Sequence, residues 1–231
     1  MRQLSILQCV FACVLMVIGL NLAWAHGVTA GDAAFIESVT GVSVGPWLYL
    51  GAKHMVTGYD HLLFLLGVVF LLGGARDVLV YVTLFSIGHS LTLTTGVLAD
   101  IRADAYLIDA VIGLSVVYKA LDNLGGFERL VGWRPWPKVA VFAFGLCHGF
   151  GLATKLQDLE IPTDGLMGKL LLFNAGVELG QLLALAGIVL VVLLWRQTGR
   201  FTAWAVAANV LLMMLGFLLT GYQLLGYLKA A

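Results

Sequence analysis

From residue 57 onward, long apolar runs follow one another with only short polar connections between them. The runs predict helices near 57–73, 77–97, 104–121, 138–156, 166–195 and 201–227. Each approaches the roughly 20 apolar residues that cross the hydrocarbon of a bilayer, and the fifth is long enough to tilt or project beyond it. Residues 27–45 ahead of them are polar. The extreme N-terminus reads as an export signal: Arg2 gives a positive start, Leu4 to Leu22 an apolar core, and Ala23-Trp24-Ala25 a small-x-small cleavage pattern. The expected organisation is a signal peptide over 1–25, a short periplasmic segment over 26–50 and a single transmembrane helical domain over 51–231. The fold class is therefore all-α, a polytopic membrane bundle of about six spanning helices.

Composition reinforces the pattern. Of 231 residues, 61% are hydrophobic and 11% charged, against about 25% charged in an ordinary soluble domain. Too few charges remain to coat a water-facing surface, so the natural partner of this surface is a lipid bilayer. Net charge is zero, which excludes the basic footprint of a nucleic-acid-binding protein. Signal cleavage would leave Cys147 as the one cysteine of the mature chain, so no intramolecular disulfide is expected there.

With an exported N-terminus, Arg76, Arg129, Arg134, Lys138, Arg196 and Arg200 fall in cytoplasmic segments. The outer segments hold Lys53, Arg102, Lys155, Lys169 and Lys229 beside an acidic Asp158–Asp164 loop. That modest bias fits the positive-inside rule for a bacterial-type inner membrane with the mature N-terminus in the periplasm. The 28 glycines include the pairs Gly145/Gly149 and Gly176/Gly180, whose spacing predicts close helix contacts. Whether copies associate into a homo-oligomer is left open.

Polar residues inside such helices are expensive and mark sites or pathways. His54, Asp60 and His61 form the densest group: the histidines are seven apart, so one helix face can carry both, with Asp60 beside it. Two imidazoles and a carboxylate suit a borderline divalent transition metal. The plainer alternative is interfacial residues meeting headgroups and water. Further along stand His89 with Ser90 and Thr92, His148 between glycines, and Asn174, Glu178 and Gln181 as a polar stripe at i, i+4 and i+7. Hydrogen bonding between helices accounts for Asn174 and Gln181 but poorly for Glu178. Asp109 is a weaker candidate near the outer interface. Cleavage would also expose His26, whose amine and imidazole can chelate a metal together, although it also simply adjoins the cleavage site. By helix rise, His61 should lie roughly 6 Å deep, His89 roughly 12 Å, His148 roughly 15 Å and Glu178 roughly 18 Å, a descending series.

The segments His54-x5-Asp60-His61, Gly88-His89-Ser90-Leu91-Thr92, His148-Gly149-Phe150-Gly151 and Phe173-Asn174-x-Gly176-Val177-Glu178-x-Gly180-Gln181 resemble the HupE/UreJ family, from about Gly51 to Gln181. The resemblance implies secondary uptake of nickel or cobalt associated with hydrogenase or urease maturation, with the paired histidines and aspartate as early ligands. The chain departs from that pattern at Gly151-Leu152-Ala153, where the nickel permeases carry a second histidine.

Three functions follow as expectations. The first is a permease for Ni2+ or Co2+, with Zn2+ or copper as other cargo. In it His54, Asp60 and His61 capture the ion, and His89, His148 and Glu178 hold it deeper. No phosphate-binding loop is present, so nothing points to direct ATP coupling. The second is an intramembrane zinc hydrolase built on Ser90, Asp60 and the histidines. The third is a metal-binding sensor or assembly protein that neither transports nor catalyses.

Overall fold

The computed structural model describes residues 41–158, 161 and 163–230; the signal-peptide stretch and His26 lie outside them. Eight helices make up the described chain: α1 Val44–Thr57, α2 Tyr59–Val69, α3 Ala75–Leu98, α4 Ala105–Asn123, α5 Gly126–Val131, α6 Pro137–Gln157, α7 Leu166–Gln197 and α8 Phe201–Ala230. No strand occurs among the described residues. Local signals set several boundaries. The Asp104 carboxylate accepts from the Leu107 N–H at 3.0 Å and caps α4. Pro137 opens α6 where its missing N–H costs nothing. Gly125 and Gly132, at φ 66° and 75°, bracket the six-residue α5 in a conformation that a side chain would strain.

Helices α3, α6, α7 and α8 are each long and apolar enough to cross a membrane. The chain is thus a multi-pass membrane protein, and exposed leucines such as Leu183, Leu190, Leu218 and Leu228 are what lipid would touch. The 19-residue α4 is more polar, with Asp109, Lys119 and Asp122 inside it. Helices α1 and α2 are short but nearly continuous, interrupted only at Gly58. The first helix therefore starts at Val44, well before the position the apolar run predicts. Pro46, Lys53 and His54 dilute its hydropathy, so its sequence reads as a polar leader.

Contacts fix a common axis. At one end, called upper here, Val42 lies against Gly165 and Gly168, and Gln157 Nε2 donates to Gly96 O at 2.7 Å. At the lower end, Asn123 Nδ2 donates to Gly67 O at 2.8 Å and Asn209 Oδ1 at 2.9 Å, and Arg196 Nη2 to Phe70 O at 2.7 Å. Helices α1, α2, α4 and α7 therefore run downward, and α3, α6 and α8 upward.

Three tight pairs build the bundle, each sealed by glycines where no Cβ fits. A Cβ at Gly180 would come within 2.6 Å of Ala52 O, and one at Gly176 would strike Leu48 O, which sets α1 parallel to α7. Gly145 and Gly149 sit against Phe85 O and His89 O in the parallel pair of α3 and α6. Gly113 and Gly216 do the same for antiparallel α4 and α8. The close contacts expected of Gly145/Gly149 and Gly176/Gly180 thus occur, and the facing helices supply glycines of their own. Such packing drives association where lipid removes the hydrophobic incentive.

Candidate metal site

The site forms where α1 stops and α2 starts. In an unbroken helix, residues seven apart lie about 10.5 Å apart along the axis. At Gly58 the backbone turns extended (ψ 103°), and the His54 and His61 rings come to 5.1 Å between centroids. The two histidines meet because the helix breaks, and a shared helical face is not the cause. A Cβ on Gly58 would lie 2.8 Å from His61 Nδ1 and 3.0 Å from Asp60 Oδ1, so the break residue must also be small.

Asp60 Oδ1 accepts from both the backbone N–H and the Nδ1 of His61, each at 2.9 Å. That pairing fixes the proton on Nδ1 and leaves Nε2 with a free lone pair, as carboxylates do behind metal-bound imidazoles. His61 Nε2 is indeed buried without a protein partner.

From α3, His89 enters the same space, its ring 5.9 Å from that of His61. It is 1% exposed, and neither ring nitrogen has a partner. His54 Nε2 is likewise unpartnered. A ring nitrogen from each of His54, His61 and His89 lies within 4.8 Å of the other two. Buried polar atoms ordinarily find a partner, and each orphan costs about 1–3 kcal/mol. Convergent orphan imidazole nitrogens are what a transition metal would satisfy, and this donor set suits nickel, cobalt, copper or zinc rather than calcium or magnesium.

His148 on α6 adjoins the trio, its ring 4.8 Å from that of His61. Ser115 Oγ donates to Ile112 O at 2.6 Å and so faces His148 Nε2, at 3.3 Å, as an acceptor. That arrangement leaves His148 Nδ1 bare, and it is buried with no protein partner. The four rings therefore form one cluster and not a descending series, because α1 begins higher than the sequence suggested and carries His61 to the level of His89 and His148.

The remaining candidates lie around this cluster. Asn174 and Gln181 join α7 to α3: Asn174 Nδ2 donates to Thr94 Oγ1 at 3.2 Å, Ser86 Oγ donates to Gln181 Oε1 at 3.0 Å, and Gln181 Nε2 donates to Val82 O at 3.3 Å. This antiparallel register sets Glu178 opposite Ser90, both half-buried. Glu178 makes no hydrogen bond or ion pair to another described residue. Asp109 instead holds Lys155 Nζ with both oxygens, at 2.9 and 2.8 Å, with Gln223 Nε2 at 3.4 Å. Sequence reasoning did not single out Ser115, Gly58 or this ion pair. A buried serine on one helix and a histidine on another carry no shared spacing in the sequence.

No curated protein and no solved structure matches the chain. A family model described as HupE / UreJ protein matches residues 30–231, so this chain, with its histidine cluster at the break between two short helices, belongs to the HupE/UreJ family.

Proposed function

We propose that this protein is a secondary permease for a divalent transition-metal cation, with Ni2+ or Co2+ as cargo. In this reading six spans cross an inner membrane: α1 with α2, then α3, α4, α6, α7 and α8. The lower end is cytoplasmic, since Arg76, Arg129, Arg134, Lys138, Arg196 and Arg200 gather there. The residues ahead of α1, with the cleaved signal peptide and His26, then lie on the periplasmic side.

One observation carries the reading: the unpartnered nitrogens of His54, His61 and His89 converge where a membrane helix is interrupted. Interrupted helices occur at membrane depth where they line a cavity or bind an ion, and they are a recurrent device of secondary transporters. His54, His61 and His89 are the ligands, Asp60 orients His61 from behind, and His148 receives the ion next. Glu178 lies beside the path, opposite Ser90. Neutral imidazoles let the ion leave as readily as it enters, whereas a cage of thiolates would retain it. The family resemblance supports nickel and cobalt as cargo, and zinc and copper would also suit the same donors. Nothing favours the hydrolytic alternative, in which Ser90 needs a base: its hydroxyl bonds no histidine among the described residues.

Uptake of radiolabelled nickel by cells producing the wild type or His61→Ala tests the proposal. Wild-type cells should accumulate nickel and the variant should not. Equal accumulation, together with equal metal content in the two purified proteins, would refute it.

A further inference from the structure

Each of three helices that bring a histidine to the cluster carries a phenylalanine one turn lower: Phe64 below His61 on α2, Phe85 below His89 on α3, and Phe144 below His148 on α6. Opposite helix directions make this true, since α2 descends while α3 and α6 ascend, so the sequence offsets are +3, −4 and −4. The rings touch. Phe64 lies 5.3 Å from Phe85 and 5.8 Å from Phe144, centroid to centroid. They also support the histidines from beneath, with Phe85 5.0 Å and Phe64 5.5 Å from His148. Phe64 is 0% and Phe85 1% exposed, whereas the Asp60 side chain on the opposite side of the cluster keeps 27%.

Polar groups return beside and below this floor. Tyr118 meets Phe144 edge-on at 5.1 Å between centroids, and its buried hydroxyl has no protein partner. One turn lower, Asp122 binds Lys119 Nζ at 2.6 Å and Arg134 Nε at 2.6 Å.

We propose that Phe64, Phe85 and Phe144 form the lower gate of the permease, a hydrophobic constriction that separates the histidine site from the polar groups around Asp122 below it. The inference rests on the permease reading. A dry ring of phenyl groups blocks a hydrated cation without any charge, by excluding the water that must accompany it. The cluster therefore has a partly exposed carboxylate on one side and a closed apolar floor on the other. Release requires rotation of these rings or a shift of α2, which is joined to the rest of its span only through Gly58.

The test separates flux from binding. Purified protein is reconstituted into vesicles holding a nickel-quenched dye, and nickel affinity is measured by calorimetry in detergent. Phe64→Leu and Phe144→Leu should each raise downhill nickel flux roughly tenfold, the effect of one lowered barrier, with affinity unchanged. Phe64→Trp should slow flux at the same affinity. Phe144 is only partly buried, so its leucine variant remains informative if position 64 proves intolerant. Wild-type flux in the leucine variants, or flux and affinity falling together, would overturn the gate while leaving the permease intact. Absence of nickel flux through the wild type would overturn both.

Discussion

Asp60→Asn separates a ligand from a residue that holds one. The substitution keeps size and shape but removes the charge that fixes the proton of His61 on Nδ1. Asp60 Oδ1 makes two contacts of 2.9 Å to His61 and is absent from the group of converging donor atoms, so it acts behind the imidazole. Loss of such an outer partner typically costs 10–100-fold in metal affinity, which corresponds to about 1.4–2.8 kcal/mol. An asparagine can still accept from Nδ1–H, which places the expected loss toward the lower end of that range. Calorimetric titration of the purified protein with nickel should therefore give weakened but measurable binding, while His61→Ala, which removes a ligand, should lose far more. Wild-type affinity in Asp60→Asn would show the hydrogen bond to be incidental. A loss equal to that of His61→Ala would show the carboxylate itself to be a ligand and would refute the assignment of roles.

Gly58→Ala would place a Cβ 2.8 Å from His61 Nδ1; the Asp60–His61 pair must move, and nickel affinity in the same titration should fall about tenfold or more. Imidazoles bind metal only when neutral, so bound nickel should be released once acid protonates the cluster, and nickel retained at a pH where NMR shows the histidines protonated would exclude imidazole ligation. Asp122→Ala strands Lys119, which is 6% exposed, and breaking a buried pair costs about 3–5 kcal/mol; thermal unfolding in detergent should show a large loss, recovered in part by Lys119→Met in the same chain. Gly145→Leu would drive a side chain into Phe85 O and separate α3 from α6, lowering both the unfolding temperature and the metal content of the purified protein.

The histidines were legible in the sequence because an imidazole within a long apolar run has few explanations. His61, His89 and His148 stood out on that ground, and so did Asp60. The glycine pairs were legible too, since spacing of four on a membrane helix has a direct packing meaning. The break at Gly58 was not. Thr57-Gly58-Tyr59 resembles many uninterrupted helical stretches, and only the clash of an added Cβ with His61 and Asp60 shows why glycine stands there. Depth differs for the same reason: with the first helix expected near residue 57, His61 is placed near the outer surface, whereas the helix starts at Val44. Phe64, Phe85 and Phe144 were invisible as a group because their offsets from the histidines change sign with helix direction, which no linear pattern records. Asp109, a weaker candidate near the outer interface by sequence, is held by Lys155, 46 residues away, a pairing no local spacing records.

An interrupted helix is a costly way to place two histidines, so the compensation shows what the break is for. At 11 residues α2 is shorter than a helix that would hold alone in water, and bare backbone groups at membrane depth cost several kcal/mol each. Specific bonds meet some of them. Gly58 N–H donates to His54 O at 2.9 Å, and Leu62 N–H to Gly58 O at 3.1 Å. At the far end, Asn123 and Arg196 take the carbonyls of Gly67 and Phe70. These backbone groups find partners, while the imidazole nitrogens beside the break have none. The break thus brings bare imidazole nitrogens together, and an electron-pair acceptor such as a transition-metal ion would satisfy their lone pairs.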